Sequence, residues 1–147
     1  MPFSIPHPWE GKAVSERLSV LVLDDEPIVG RRLAPALAKV GCDVEVFEAP
    51  VPALKRIQEK EFQIVVTDIR MEDVDGIEVL EKVMALHPRT KVIMITGYAT
   101  VEVAREALAK GAFDFIAKPF KPQELRDVIA RAAESLGFKG IHETPVE

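Results

Sequence analysis

The sequence predicts a doubly wound α/β domain built on a five-stranded parallel sheet. Five short runs rich in apolar residues alternate with helical patterns along a chain of 147 residues, a length that suits one domain. Runs such as VLVL, IVVT and VIMIT are apolar on successive residues rather than on alternate ones. Strands that helices cover on both faces need this pattern. Because the strands alternate with helices, the sheet is expected to be parallel.

The bounds of the individual elements follow from the same pattern and from the prolines and glycines that begin and end helices. The strands are predicted at residues 19–24, 43–47, 63–68, 91–96 and 113–117. Pro27 should begin the first helix, because proline suits the first helical turn, and Gly41 should stop it. Gly137 should stop the last helix in the same way. The apolar face of that helix is formed by Leu125, Val128, Ile129, Ala132 and Leu136.

The two ends of the chain lack this periodicity. Residues 1–17 carry several prolines and are predicted to form an N-terminal arm. Residues 139–147 are predicted to form a C-terminal tail, so the folded domain is expected to span residues 18–138. The N-terminus lacks the basic stretch followed by an apolar core that is typical of a secretory signal.

Composition limits the class of protein. The chain is 48% hydrophobic and 29% charged, which is typical of a globular protein, and no apolar run reaches the roughly 18 residues of a membrane span. A single cysteine, Cys42, excludes an internal disulfide and favours a reducing compartment, so the cytoplasm is expected. The net charge of -5, without a basic stripe, argues against direct nucleic-acid binding. The expected partner is another protein.

Polar side chains stand where four of the predicted strands end. In a doubly wound fold, ligands bind outside the carboxyl ends of the strands. Each residue has a structural explanation when taken alone, such as capping a helix, closing a turn or facing water. Their convergence on one crevice favours a shared function instead. The residues are Asp24, Asp25, Glu26, Asp68, Thr96 and Lys118.

These residue types suit phosphoryl transfer to an aspartate. Clustered carboxylates repel one another, and Mg²⁺ relieves that repulsion by taking oxygen ligands. Asp68 beside the metal is an oxygen nucleophile that can accept a phosphoryl group as an acyl phosphate. Lys118 supplies positive charge and Thr96 a hydroxyl group. No Walker-type glycine loop is present, so the expected donor is a phosphorylated molecule other than a nucleotide.

Four motifs in order resemble the receiver domain of bacterial two-component response regulators. They are DDE, DIRMEDVDG, TGYAT and KPF, and the resemblance covers about residues 18 to 138. It implies the flavodoxin-like strand order 2-1-3-4-5. It also implies that Asp68 accepts phosphate from a histidine kinase or a histidine phosphotransfer protein, and that the chain is a phosphoacceptor rather than an enzyme acting on a separate substrate.

The resemblance also implies roles for the other site residues. Asp25, Asp68 and the backbone carbonyl of Arg70 would hold Mg²⁺, and Asp24 would contribute through water. Lys118 would pair with the phosphoryl oxygens. Pro119 resembles the cis-proline of the family.

A conformational switch is implied as well. In similar proteins the hydroxyl matching Thr96 moves toward the phosphoryl group and an aromatic residue, here Phe115, turns inward. This would change the face formed by the fourth helix, the fifth strand and the fifth helix, where a downstream protein partner is expected to bind. Phe115 also suits an ordinary core position on an apolar strand.

Two positions are expected to tune the lifetime of the acyl phosphate. Arg70 and Tyr98 each lie two residues beyond a site residue, where they could shield or steer the hydrolytic water. The chain departs from many receivers after Met71. Those receivers have proline at the next position, where this chain has Glu72. The stretch from the fourth strand to the fifth most resembles receivers of enhancer-binding transcriptional activators. A phosphorylation-dependent homodimer is left open.

Two other functions remain possible from the sequence. A Mg²⁺-dependent phosphohydrolase could use Asp68 on small substrates, although Arg70 stands where such enzymes place a second carboxylate. A pure interaction module with an inert acidic pocket would not need the full set of Asp68, Thr96 and Lys118. Turnover of phosphomonoesters favours the first, and failure to take up phosphate favours the second.

Overall fold

A computed structural model describes residues 17–71, 74–97 and 100–138. The five strands are β1 (Leu18–Leu23), β2 (Cys42–Phe47), β3 (Ile64–Asp68), β4 (Lys91–Thr96) and β5 (Asp114–Ala117). They form one sheet in the order β2-β1-β3-β4-β5, and every neighbouring pair is parallel. The observed strands begin and end within one residue of the predicted ones, so the predicted fold class and strand order are confirmed.

A helix follows each strand. The helices are α1 (Pro27–Ala38), α2 (Pro50–Glu59), α3 (Gly76–Leu86), α4 (Val101–Ala109) and α5 (Pro122–Ser135). Proline opens α1, α2 and α5, where its missing N–H costs no helical hydrogen bond. The turns after α1 and α5 contain Gly41 and Gly137 with φ angles of 96° and 86°. Only glycine adopts such angles without strain, which explains why both helices stop there.

The sheet is buried on both faces, as the successive apolar residues predicted. Val20 and Val22 of β1 belong to a core beneath α1 and α5, where Leu37 and Leu125 also lie. The alternate residues Leu21 and Leu23 belong to a second core beneath α2, α3 and α4. Successive side chains of a strand point to opposite faces, so both sets must be apolar.

The parallel register brings the carboxyl ends of four strands to one edge. The strand pairs nearest that edge are Leu23 with Thr67, Asp68 with Ile95, and Thr96 with Ala117. Residues that follow β1, β3, β4 and β5 therefore meet there, although they are far apart in sequence.

The predicted arm and tail stay predictions. Residues 1–16 and 139–147 lie outside the described residues, as do Glu72, Asp73, Tyr98 and Ala99. Arg17 is described, and its guanidinium donates to the Asp43 carboxylate at 2.6 Å and to the Cys42 carbonyl at 2.7 Å. Within the described ranges, no helix has the length and apolar character to cross a membrane.

Candidate functional site

Three aspartates form an acidic cluster at the carboxyl edge of the sheet. Asp24 follows β1 and is 1% exposed, Asp68 ends β3 and is 5% exposed, and Asp25 faces solvent. One carboxylate oxygen from each lies within 4.8 Å of the other two. The structure thus brings together the three carboxylates that the sequence proposed as metal ligands.

Similar local turns hold the two buried carboxylates. Asp24 Oδ1 accepts a hydrogen bond from the Glu26 N–H at 2.8 Å, and Asp68 Oδ1 accepts one from the Arg70 N–H at 3.2 Å. In each turn an aspartate side chain binds the backbone two residues later, a common property of aspartate after a strand. The Asp24 N–H also donates to the Phe47 carbonyl at 3.0 Å, which continues the pairing of β1 with β2. Both carboxylates are therefore fixed by the backbone.

Lys118 lies among these carboxylates. Its Nζ donates to Asp68 Oδ2 at 2.9 Å and to Glu26 Oε1 at 2.6 Å, and it lies 2.8 Å from Asp24 Oδ2. The side chain is only 16% exposed. Its backbone N–H donates to the Thr96 carbonyl at 2.8 Å, which joins the end of β5 to the end of β4. The Lys118–Pro119 peptide bond is cis, the isomer that the resemblance implies.

Burial and pairing act in opposite directions on the ionisable groups. Burial raises the pKa of Asp24, and the contact with the Lys118 ammonium and the hydrogen bond from the Glu26 N–H offset part of that rise. Burial by itself lowers the pKa of Lys118, but its contacts with Asp24, Glu26 and Asp68 outweigh burial and leave the pKa above its ordinary value. Lys118 is therefore positively charged at neutral pH.

The cluster fits a hard divalent cation. Asp24 Oδ2 is buried and, apart from its ion contact with Lys118, has no hydrogen-bond partner with suitable geometry in the described part of the chain. Oxygen is the only ligand type that the three aspartates offer, and Mg²⁺ prefers oxygen. A cation here would satisfy that oxygen and reduce the repulsion among three carboxylates.

A cleft of about 510 Å³ opens onto the cluster. Thr96 is completely buried at the end of β4, whereas Arg70 is exposed on the loop after β3. The lining residues are Asp25, Glu26, Asp68, Arg70, Thr96, Gly97 and Lys118. The predicted site residues around Asp68 line this cleft or, like Asp24, contact a residue that lines it. Tyr98 lies outside the described residues.

Phe115 lies away from this cleft. It is half-buried on β5 and packs against the core beneath α2, α3 and α4. It also lines a second cleft between β5 and α5, where Arg131 pairs with Asp114 at 2.9 Å. The aromatic side chain therefore lies at the face that the sequence predicted to change on activation.

Sequence reasoning missed two features of the site. Glu26 was grouped with the carboxylates after β1 but was not expected to pair with Lys118, which lies 92 residues later. Gly76 begins α3 directly against the backbone of Asp68 and Ile69, with no room for a β-carbon. The glycine in DVDG was the available signal for the second feature. No local signal in the sequence indicates the first.

The chain matches the sequence profile of the response regulator receiver domain over residues 20–130. It belongs to this family. The match covers most of the chain and confirms the resemblance seen in the motifs.

Curated relatives and solved structures agree with this assignment. Regulatory protein AtoC of Escherichia coli K12 is 38% identical over 120 residues, which are 82% of this chain and 26% of AtoC. A putative response regulator NtrX-like protein of Rickettsia typhi is also 38% identical, over 84% of this chain and 26% of the relative. The chain thus spans about a quarter of the length of these relatives.

Two solved receiver domains have the same fold. The receiver domain of NtrX from Brucella abortus is 34% identical with a TM-score of 0.74, and the match covers 79% of this chain and 98% of that one. The beryllofluoride-activated NtrC4 receiver domain dimer is 33% identical with a TM-score of 0.77, over 80% of this chain and 98% of that one.

Proposed function

We propose that this receiver accepts a phosphoryl group on Asp68 from a histidine kinase or a histidine phosphotransfer protein, in a Mg²⁺-dependent reaction. The observation that carries the proposal is the position of Lys118. Its Nζ lies within 2.9 Å of both Asp24 and Asp68, beside the third carboxylate of a possible metal site. The Asp68 carboxylate as nucleophile, the Lys118 ammonium group and a set of oxygen ligands for a metal thus lie at one opening.

The chemistry follows from these positions. A carboxylate oxygen of Asp68 attacks phosphorus, the bond from phosphorus to the donor histidine nitrogen breaks, and that nitrogen keeps the electron pair. Lys118 pairs with the phosphoryl oxygens and offsets their negative charge. The hydroxyl of Thr96, at the same opening, is a hydrogen-bond donor for another phosphoryl oxygen. The reaction needs positioning and charge more than further acid–base groups.

The residues that would hold the metal are those of the acidic cluster. Asp25, Asp68 and the backbone carbonyl of Arg70 are the proposed direct ligands, and Asp24 would act through water. A bound Mg²⁺ supplies positive charge for the oxygens of the transferring group. The Arg70 N–H and Lys118 hold the two oxygens of the Asp68 carboxylate without any metal.

Phosphorylation is proposed to change the face formed by α4, β5 and α5. Thr96 lies at the site and Phe115 lies two residues before the end of β5, so a movement of Thr96 toward the phosphoryl group would reach Phe115 along neighbouring strands. Because phenylalanine has no hydroxyl to hydrogen-bond in solvent, its inward position meets little opposition. A downstream protein partner would bind the altered face. A second copy of this chain, which would form a homodimer, is one such partner.

Arg70 and Tyr98 are proposed to set the lifetime of the acyl phosphate. Arg70 lines the cleft and is exposed, so its side chain can shield or steer the attacking water. Separate Arg70→Ala and Tyr98→Ala variants should each change the rate of phosphoryl loss, measured by mass after the donor is removed. If both variants lost the phosphoryl group at the wild-type rate, Arg70 and Tyr98 would not set the lifetime of the acyl phosphate.

The cellular setting is proposed on the same basis. Cys42 is buried and unpaired, in agreement with a reducing compartment such as the cytoplasm. The output is proposed to be a protein contact, because this chain shows no basic stripe for nucleic acid. The proposed role is that of a phosphoacceptor, not of an enzyme that turns over a separate small substrate.

Intact-mass measurement with a small donor tests the function. The protein is incubated with acetyl phosphate, with and without Mg²⁺, and the gain of one phosphoryl group is followed. Uptake should need Mg²⁺, disappear in Asp68→Asn and persist in Asp127→Asn, which changes an exposed aspartate on α5. No uptake would favour an inert interaction module, and steady release of phosphate from phosphomonoesters would favour a phosphohydrolase.

A further inference from the structure

Three carboxylates surround the ammonium group of Lys118. Three carboxylate oxygens lie around Nζ, at 2.6 Å from Glu26, 2.8 Å from Asp24 and 2.9 Å from Asp68. An ammonium group has three hydrogens. Lys118 donates two of them, to Glu26 and Asp68, and the Asp24 oxygen lies beside Nζ as an ion contact without hydrogen-bond geometry. A phosphoryl oxygen that pairs with Lys118 must therefore fit among three carboxylate oxygens within 2.9 Å of Nζ, and it gains full contact when one of them gives up its place.

The three carboxylates differ in how readily they can leave. Asp24 has a side chain that is 1% exposed, and its other oxygen is held by the Glu26 N–H. Without Lys118 it would remain buried and poorly solvated, which is costly for a carboxylate. Asp68 is the group that carries the phosphoryl. Glu26 is 59% exposed, so water can solvate it as soon as it turns away.

The position of Glu26 in the chain points the same way. It directly precedes α1, where a side chain often caps the free N–H groups of a helix, yet its carboxylate makes no capping hydrogen bond. It pairs with Lys118 across the mouth of the cleft instead. If the Glu26 side chain rotated into solvent, it would lose its hydrogen bond with Lys118 and no capping bond.

We propose that Glu26 is a displaceable partner of Lys118, which occupies, in the unphosphorylated receiver, the place at Nζ that a phosphoryl oxygen takes after transfer. Glu26 thereby slows phosphorylation and sets how readily the site accepts a donor. This inference rests on the proposed function of Asp68. It makes Glu26 a positioning residue that acts through Lys118.

Two substitutions separate displacement from simple charge repulsion. Glu26→Gln keeps the length of the side chain and removes its charge. Glu26→Asp keeps the charge but shortens the side chain by one carbon, about 1.5 Å, which carries the carboxylate out of contact with Nζ. If displacement limits the reaction, both variants are faster than the wild type. If only repulsion of an anionic donor matters, Glu26→Gln alone is faster.

The experiment measures the second-order rate constant for phosphorylation of the full chain by acetyl phosphate with saturating Mg²⁺, followed by intact mass. Both variants should react about two- to fivefold faster, the range expected for loss of one exposed ion pair. Glu134→Gln, a charge change in the last turn of α5, should react at the wild-type rate. A wild-type rate for Glu26→Asp, or for both variants, would overturn the proposal.

Binding of beryllofluoride supplies a readout that does not depend on turnover. Its dissociation constant, measured by calorimetry with Mg²⁺ present, should fall in both variants by a factor similar to the gain in rate. An unchanged constant would contradict competition for Lys118. If wild-type Asp68 takes up no phosphoryl group, the proposed function fails and this inference fails with it; if uptake is intact and the variants match the wild type, this inference alone fails.

Discussion

Gly76, the first residue of α3, lies directly against the backbone of the proposed acceptor Asp68. A β-carbon on residue 76 would overlap the Asp68 carbonyl oxygen and stand 2.7 Å from the Ile69 Cα, and the Gly76 N–H donates to the Ile69 carbonyl at 2.7 Å. The start of α3 and the end of β3 thus support each other, which fixes the loop that presents Asp68.

Gly76→Ala should therefore damage both stability and phosphorylation. The added methyl group meets rigid backbone, so the free energy of unfolding should fall by about 1–3 kcal/mol, as measured by urea denaturation. Phosphoryl uptake from acetyl phosphate should slow, because Asp68 must shift. Gly97→Ala is the matched control for the stability measurement alone, since a β-carbon there meets nothing within 4 Å but the residue lines the cleft. If Gly76→Ala and Gly97→Ala lowered the free energy of unfolding by the same small amount, the start of α3 would not support the backbone at Asp68.

Lys118→Ala should destabilise the protein mainly when Mg²⁺ is absent. The substitution leaves Asp24 and Asp68 buried near each other without their cation. A loss of up to about 3 kcal/mol is expected in EDTA, and Mg²⁺ should recover part of it. Lys110→Ala removes a more exposed lysine that pairs with Glu81 and should cost much less, with no dependence on Mg²⁺. A similar loss for both variants in EDTA would argue against the buried ion cluster.

Mg²⁺ should stabilise the folded wild-type protein through the acidic cluster. A ligand that binds only the folded state at ten times its dissociation constant adds about 1.4 kcal/mol to the free energy of unfolding. Asp25→Asn should lose most of this gain, which can be followed by thermal denaturation in Mg²⁺ and in EDTA. Asp43→Asn, which changes an exposed carboxylate on β2, should keep it. Equal gains in both variants would place the cation elsewhere.

Cys42 should make stability depend on pH under alkaline conditions. Burial raises the pKa of its thiol to about 12, above the usual value of about 8.5. Between these values the folded protein holds a proton that the unfolded chain has lost. The stabilising contribution is thus complete below the unfolded pKa and declines as pH rises toward the folded pKa.

The predicted decline is up to about 1.4 kcal/mol for each pH unit in that window. Urea denaturation at several pH values should show a steeper fall for the wild type than for Cys42→Ala, which lacks the thiol but keeps the other groups that titrate. Parallel pH profiles for the two proteins would exclude this contribution of the thiol.

The sequence was sufficient for the fold and for much of the site. Successive apolar residues in VLVL and VIMIT require burial on both faces, which leaves few arrangements other than a parallel sheet with helices on each side. The same topology brings Asp68 and Lys118 together, because Asp68 ends β3, Lys118 follows β5, and the carboxyl ends of both strands lie at one edge. The strand boundaries and the shared cleft could be predicted for this reason.

The features that could not be predicted depend on the path of individual loops. Glu26 reaches Lys118 only because the turn after β1 directs its side chain across the cleft, and spacing in the sequence does not encode that direction. The lack of space at Gly76 similarly depends on how closely α3 approaches β3. Such contacts are decided by packing between distant segments, to which local sequence patterns are insensitive.

A crystal structure of the protein with Mg²⁺ and beryllofluoride tests the central claim most directly. We expect beryllofluoride on the Asp68 carboxylate, Mg²⁺ beside Asp25 and Asp68, and Lys118 Nζ turned from Glu26 to a fluorine atom. Beryllofluoride or the cation bound away from Asp68, or Lys118 directed out of the cleft, would contradict it.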